Sequence, residues 1–263
     1  MFISLAMAET PEIWDYWNLL GVLTERFSLT GNTAAVATLV AALCSIVIPY
    51  LIGSINPAIL ISTLIYRDDI RTHGSGNAGT TNMLRTFGVK AAVVTLLLDF
   101  GKAAIATLLG RLFFGIVGQA IAGFFVGFGH MFPLYYRFRG GKGVACFGIV
   151  ALVIHPLAFL FILGTFLIVL IGTRYVSLAS VMAALIYPMA FRWAAILTNT
   201  QMTNGVNMLM AFLAMCFVIF MHRENLKRLW NRQEAKIDFS KFKKKKKKDA
   251  AADSDVPPAG DGQ

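Results

Sequence analysis

Polar residues able to do chemistry are concentrated in three short stretches of an otherwise apolar chain. The first stretch, residues 73–85, places three glycines within six positions and surrounds them with short polar side chains. Such a run lets backbone N–H groups converge on an anion, and the helix that follows it favours negative charge at its start. The pattern predicts a phosphate cradle, with a flexible glycine-rich turn as the alternative. Its candidate binding residues are Gly74, Ser75, Gly76, Asn77, Gly79, Thr80, Thr81, Asn82 and Arg85.

The second stretch places Lys142 between Gly141 and Gly143, at the start of a long apolar run. A lysine at the start of a helix predicts a second anion site, and the alternative is a basic loop that only sets membrane topology. The spacing does not match a P-loop, which needs an earlier glycine where Tyr136 stands and a serine or threonine in place of Gly143.

The third stretch begins where the last apolar run ends. His222 and Asn225 are three positions apart and therefore share a helical face. The pattern favours a site residue at His222, against the alternative of an ordinary interfacial histidine. Asp99 and Lys102 have the same spacing inside an apolar run, where we expect a structural ion pair near the inner face that orders the first loop.

Neither a metal nor a cofactor is predicted, because the sequence shows no clustering of histidine, cysteine and carboxylate residues. Cys44, Cys146 and Cys216 all lie in apolar runs without metal or redox spacing, and we expect them to be small core residues.

The composition is that of a polytopic membrane protein. Of 263 residues 57% are hydrophobic and only 14% are charged, against about 45–50% and about 25% in soluble domains. This excludes a water-soluble enzyme, a disordered chain and a disulfide-stapled secreted module. The net charge of +10 indicates anionic membrane lipids or phosphorylated substrates as partners, and no nucleic-acid signature is present.

The expected fold is all-α, a polytopic integral membrane helix bundle. Its apolar runs cover residues 34–65, 91–114, 115–136, 144–172, 177–193 and 206–221. Basic residues concentrate in three segments, residues 67–90, 137–142 and 223–236, which the positive-inside tendency places on the cytoplasmic side. An even number of spans must therefore separate the second segment from the third, so we split residues 144–172 at His155-Pro156. Seven transmembrane helices result, with the N-terminus outside and the C-terminus in the cytoplasm.

Three domains are expected along the chain. Residues 1–33 form an N-terminal extension, for which an interfacial helix and a variable segment are the two alternatives. Residues 34–236 form the membrane domain, and residues 237–263 form a disordered lysine-rich cytoplasmic tail.

Taken together, the three stretches resemble the three motifs of the bacterial acyl-phosphate:glycerol-3-phosphate acyltransferase family. The resemblance rests on residues 73–85 preceded by Gly53-Ser54-Ile55, on residues 129–133 with 140–145, and on residues 222–234. It covers about residues 50–236. Departures are small, such as Thr80 where the family usually has alanine and Cys146 where threonine is usual.

The resemblance implies transfer of a fatty acyl group from acyl phosphate to the 1-hydroxyl of sn-glycerol 3-phosphate. The products are lysophosphatidic acid and inorganic phosphate, and this is the first step of phospholipid synthesis. It also implies seven helices in the bacterial inner membrane, a cytoplasmic active site, and a further partner in the enzyme that supplies acyl phosphate. The residues it implies for glycerol 3-phosphate and its attacking hydroxyl are Ser75, Arg85, Lys142, His222 and Asn225, with His130 as a further binding residue.

A transporter of an organic phosphate is the alternative function, because it would also place cations and helix ends within a membrane. Such folds often contain internal inverted repeats, and none is visible in this sequence.

Overall fold

The computed structural model describes residues 18–200 and 205–237, and every regular element in this part of the chain is helical. This agrees with the predicted all-α class. The α-helices are α1 Leu19–Arg26, α2 Gly31–Ser54, α3 Pro57–Leu64, α4 Thr80–Thr86, α5 Val89–Met131, α6 Val144–Ile154, α7 Pro156–Thr173, α8 Val176–Leu185, α9 Tyr187–Thr198, α10 Gly205–Met221 and α11 Arg223–Trp230. Short 3-10 turns occupy Ile70–Thr72 and Leu134–Tyr136.

The first apolar run breaks between α2 and α3, as its prolines predict. Pro49 remains inside α2, while Pro57 occupies the first turn of α3. Proline is well tolerated in a first turn but biases the residue before it away from helical geometry. Asn56 caps α3 by accepting a hydrogen bond from the backbone N–H of Ile59.

Helix α5 is a hairpin rather than a single straight rod. Phe114 and Gly115 have non-helical backbone angles, and Gly115 has a φ of 59°, a left-handed conformation that glycine adopts freely. Lys102 Nζ lies 2.9 Å from His130 Nδ1, whereas a continuous helix would separate these residues by about 42 Å. The two arms, residues 89–113 and 116–131, are the second and third predicted spans. The second arm ends at Met131, ahead of Pro133.

The split at His155-Pro156 is confirmed, because α6 ends at Ile154 and α7 begins at Pro156. The two helices run in opposite directions. Gln119, next to the turn of the α5 hairpin, donates to the carbonyl of Val153. At the other end of α7, the backbone N–H of Ile237 donates to the carbonyl of Arg174.

The following span is bent, which the sequence analysis did not predict. Helices α8 and α9 meet at an angle of 51°, since Pro188 in the first turn of α9 interrupts the hydrogen-bond ladder. The span also extends to Thr198 rather than stopping at Trp193.

Within residues 18–200 and 205–237, three helical segments are long and apolar enough to cross a membrane, and up to five if each of two bent pairs is one span. The three are Gly31–Leu64, Val89–Tyr136 and Pro156–Thr173.

The helices run between two ends of the bundle, which are called the far end and the site end below. The far end carries the α5 hairpin turn, and there His155 Nε2 lies 3.1 Å from Thr198 Oγ1. The site end carries residues 65–79, 132–143 and 222–237.

Candidate active site

The three polar stretches meet at the site end of the bundle. Arg71, just before the first loop, donates from Nη1 to the carbonyl of Tyr136 in the second loop at 3.2 Å. Lys142 in the second loop donates from Nζ to Asn225 Oδ1 in the third stretch. These hydrogen bonds join the three segments, although they are far apart in the sequence.

Asn82 organises the first loop. Its Oδ1 accepts a hydrogen bond from the backbone N–H of Ser75 at 3.0 Å. Its Nδ2 donates to the carbonyls of Ile70 at 3.1 Å and His73 at 2.9 Å. The residue is 1% exposed. All three bonds hold the loop backbone, so the side chain of Asn82 serves the shape of the cradle.

The other predicted cradle residues surround this anchor. Gly74 and Gly76 are exposed and have positive φ, and Ser75 between them is also exposed. Gly79 precedes α4, and half-buried Asn77 comes shortly before it. The remaining predicted residues, Thr80, Thr81 and Arg85, lie in α4 itself. Arg85 is exposed, and the buried Thr80 Oγ1 has no hydrogen-bond partner among the described residues.

Gly141 is where the first and second loops touch. Its N–H donates to the carbonyl of His130 at 3.1 Å. A β-carbon on Gly141 would collide with His130 Nε2 and would lie 2.9 Å from the carbonyl oxygen of Ala78. Ala78 belongs to the first loop, and its carbonyl also accepts from Asn56 Nδ2 at 3.3 Å. Only glycine permits this close approach. Gly143, with a φ of 78°, then leads into α6.

A chain of polar contacts holds Lys142. Asn225, which accepts from Lys142, donates through Nδ2 to Glu234 Oε1 at 2.7 Å. Arg228 Nε donates to Glu234 Oε2 at 2.8 Å. Although burial raises the pKa of Glu234, the bonds from Asn225 and Arg228 hold it below its ordinary value.

The charge of Lys142 is destabilised by its surroundings. Burial lowers its pKa to about 8, the charges of Arg228 and Arg85 act in the same direction, and Glu234 opposes them. The charge of Arg85 contributes to this lowering of the Lys142 pKa, so an anion bound near both side chains would favour their charged forms.

His222 is presented in a defined tautomer. The residue is 3% exposed, and its Nδ1 lies 2.8 Å from the carbonyl of Val218. A carbonyl oxygen can only accept, so Nδ1 carries the proton. Nε2 of the neutral ring therefore keeps a lone pair that can accept a hydrogen bond or a proton.

Beneath the two loops lies a buried cluster that the sequence analysis did not foresee. Asp99, His130 and Cys146 place potential metal ligands within 4.8 Å of one another. The statement that no such cluster exists was wrong, because three different helical segments supply its members. Lys102 Nζ lies 2.8 Å from Asp99 Oδ1 and 2.9 Å from His130 Nδ1. This ammonium takes the place that a metal cation would need, so the cluster does not fit a metal.

The expected Asp99–Lys102 ion pair is therefore present. His130, a predicted substrate-binding residue, lies under Gly141 and is 4% exposed. Glu234 and Asn56 were not among the predicted site residues. Glu234 lies within the motif that carried the resemblance, and its acidic side chain in a basic segment was the available signal.

Comparison with known proteins agrees with this arrangement. The family model described as glycerol-3-phosphate acyltransferase matches residues 43–232. The chain belongs to the glycerol-3-phosphate acyltransferase family.

Individual members of this family are similar over most of their length. The glycerol-3-phosphate acyltransferase of Finegoldia magna is 38% identical over 194 residues, which cover 73% of this chain and 93% of that protein. The Bacillus subtilis protein of the same name is 39% identical over 192 residues, covering 73% and 95% respectively.

Solved structures of a family member show the same fold. The chain is similar to the crystal structure of PlsY (YgiH), an integral membrane glycerol 3-phosphate acyltransferase, in its glycerol 3-phosphate form. The TM-score is 0.68 at 33% identity, covering 76% of this chain and 98% of that one. For the lysophosphatidic acid form the TM-score is 0.65, again at 33% identity, with 75% and 95% covered. This glycerol-3-phosphate acyltransferase family chain is accordingly an all-helical membrane protein.

Proposed function

We propose that this protein transfers a fatty acyl group from acyl phosphate to the 1-hydroxyl of sn-glycerol 3-phosphate. The products are lysophosphatidic acid and inorganic phosphate. The observation that carries the proposal is the hydrogen bond from Lys142 to Asn225, three residues after His222, at one end of a membrane bundle in a member of this family. Both substrates carry phosphate, and the site offers cations from two separate stretches.

The first loop binds one phosphate and the groups around Lys142 bind the other. The backbone N–H groups of Gly74–Thr81 that are not bonded within the loop face the acyl-phosphate headgroup. The hydroxyl of Thr80, which has no partner among the described residues, faces it as well. Ser75, Arg85, Lys142 and Asn225 hold glycerol 3-phosphate. Because Asn225 fixes Lys142, the ammonium is already placed when the substrate arrives.

The chemistry needs no covalent enzyme intermediate. The 1-hydroxyl oxygen attacks the acyl carbonyl carbon, and the bond from that carbon to the phosphate oxygen breaks. Phosphate leaves as an anion near the cationic side chains of Arg85 and Lys142. The hydroxyl proton has two available acceptors, namely His222 Nε2 and the phosphate of the acceptor substrate. The variant His222→Gln distinguishes these two proton acceptors, since glutamine keeps a polar side chain but cannot act as a base. Near-normal turnover with this variant identifies the substrate phosphate as the acceptor.

The topology inferred with this function has seven crossings, an outside N-terminus and a cytoplasmic C-terminus. The seven crossings proposed are α2, the two arms of α5, α6, α7, α8 with α9 as one, and α10. Basic residues collect at the site end, which the positive-inside tendency assigns to the cytoplasmic face of the bacterial inner membrane. The residues are Arg67, Arg71, Arg85, Lys90, Arg137, Arg139, Lys142, Arg223, Lys227, Arg228, Arg232 and Lys236. Labelling of Arg137→Cys in intact cells tests this, because an impermeant reagent should not reach it.

The deciding experiment measures phosphate release and lysophosphatidic acid formation by the purified protein. Palmitoyl phosphate, palmitoyl-CoA and palmitoyl-acyl carrier protein are supplied in parallel with glycerol 3-phosphate. We expect turnover with palmitoyl phosphate alone. Turnover with a thioester donor would overturn the donor assignment. Uptake of glycerol 3-phosphate into sealed vesicles without any product would favour a transporter instead.

A further inference from the structure

The buried groups beneath the two glycine-rich loops have no part in the reaction described above. Asp99, Lys102 and His130 come from the two arms of the α5 hairpin, and their side chains are 2%, 8% and 4% exposed. Burying a charged pair costs several kcal/mol per ion before its attraction is counted. Such a cluster in a membrane helix therefore suggests a specific task.

Lys102 binds the first span at the point where it breaks. Its ammonium donates to the carbonyls of Gly53 at 3.2 Å and Ile55 at 2.7 Å. These carbonyls lie at the end of α2, where intrahelical donors run out. The next residue, Asn56, bonds to the Ala78 carbonyl of the first loop. Lys102 is thus connected to the cradle by its bond to Ile55 and by the bond from the next residue, Asn56, to Ala78.

His130 extends the same cluster to the second loop. Its ring Nδ1 lies 2.9 Å from Lys102 Nζ and 3.2 Å from Asp99 Oδ1. Its carbonyl accepts from the N–H of Gly141, and its ring packs against the same glycine. Gly141 in turn contacts Ala78 and precedes Lys142.

We propose that Asp99, Lys102 and His130 form a positioning unit that sets the first and second loops at a fixed separation. One branch runs through Ile55 and Asn56 to Ala78, and the other runs through His130 to Gly141. The two branches meet where Ala78 touches Gly141. The unit touches neither substrate, and it acts by holding Lys142 at the distance from the cradle that two neighbouring phosphates require. This inference rests on the proposed function.

The test compares kinetic constants with stability. Lys102→Met removes the ammonium at nearly constant volume but leaves Asp99 as an unpaired buried charge, which destabilises the fold. The double variant Asp99→Asn/Lys102→Met removes both charges and keeps the protein foldable. We expect the double variant to insert and to lose kcat/KM on the order of 10²-fold, as misplacement by about 1 Å does. We expect part of this loss as a raised KM for glycerol 3-phosphate.

The chain supplies a matched control at the far end of the same hairpin. Arg111 donates from Nη1 to Gln119 Oε1 at 3.0 Å, so it also joins the two arms. Arg111→Met should reduce thermal stability while leaving KM and kcat near those of the wild type. A merely structural cluster would make the double variant behave like this control, because KM does not depend on how much protein folds.

His130 gives a second, independent measurement. His130→Asn keeps a polar nitrogen or oxygen near the position of Nδ1 and should retain most activity, whereas His130→Ala should raise KM. Wild-type kinetics in the folded double variant would overturn the proposal. Equal kinetics for His130→Asn and His130→Ala would also overturn it. If the wild type itself shows no turnover, the proposed function fails first, so the two failures are distinguishable.

Discussion

The two glycine-rich loops are similar in composition but are held in place in different ways. The first loop is shaped by Asn82, whose three hydrogen-bond partners all lie within 12 positions of it in the sequence. The second loop depends on distant partners. Lys142 bonds to Asn225, 83 positions further along the chain, and Gly141 packs against Ala78.

This difference separates local from global control of a binding site. The first loop can take most of its shape once residues 70–82 are together, because the bonds of Asn82 close within that segment. Asn56 and Tyr136 then tie this formed loop to the rest of the bundle. The second loop is complete only when α10 and α11 have docked and brought Asn225 to Lys142. Phosphate binding at the first loop should therefore be insensitive to damage in the third stretch, while the function of Lys142 should not be.

The largest expected effect is at Lys142. We expect Lys142→Ala to lower kcat/KM by about 10²–10³-fold, the usual cost of removing one preorganised electrostatic group. The protein should still insert and unfold at a similar temperature. Steady-state phosphate release and a thermal melt measure the two quantities. Lys227→Ala removes an exposed cation nearby and serves as the control. Full activity of Lys142→Ala would remove the second anion site from the proposal.

Asn82→Ala should break the first loop instead. It leaves the N–H of Ser75 without its partner and takes one of two donors from each of the carbonyls of Ile70 and His73. A lost partner costs about 1–3 kcal/mol where the group stays buried. We expect faster amide hydrogen exchange in residues 70–82 together with reduced activity. Asn225→Ala should reduce activity without changing exchange in that segment. Faster exchange there in Asn225→Ala would show that the loops are not independently held.

The pH dependence of kcat/KM should report Lys142, since this constant reflects the free enzyme. The pKa of Lys142 is lowered to about 8, so the side chain is cationic below that pH and neutral above it. Activity should accordingly fall as the pH rises through about 8. Lys142→Arg keeps its charge to above pH 12. If this variant is active, it should lack the alkaline fall; the same fall in both proteins would assign it to another group.

The smallest effect is expected at the outer contact between the loops. Arg71 is partly exposed, and it pairs with Asp69 besides reaching the Tyr136 carbonyl. Exposed pairs of this kind contribute about 0–1 kcal/mol. Arg71→Gln should change KM by only a few fold, measured beside the wild type at equal ionic strength. A loss as large as that of Lys142→Ala would mean that the outer contact, rather than Gly141, sets the separation of the loops.

Much of the fold was predictable because its breaks follow from proline and glycine. Pro57 and Pro156 mark two real helix boundaries, and the hairpin turn falls at Phe114-Gly115. The bend before Tyr187 was missed, although Pro188 was its signal. A proline near a helix start does not show by itself whether the chain bends or merely begins a new turn.

The site was predictable as a set of residues but not as a set of contacts. Spacing placed Arg85, Lys142 and His222 in polar stretches, and topology put those stretches on one side. The sequence did not show that Asn82 makes its three hydrogen bonds to the backbone of its own loop. Nor did it reveal that Lys102 bonds to carbonyls about 50 positions earlier, because hydrophobic periodicity carries no information on which helix faces meet.

The shortness of α6 has a consequence for how a fatty substrate reaches the site. Eleven residues of helix extend about 17 Å, whereas the 18 residues of α7 extend about 27 Å from the same far end. The start of α6 therefore stops about 10 Å short of the level that α7 reaches. Lys142 lies two residues before the start of α6, at the bottom of this recess. In the proposed reaction, the acyl carbonyl of the donor can meet glycerol 3-phosphate held at that lysine while the acyl tail stays dissolved among lipid chains.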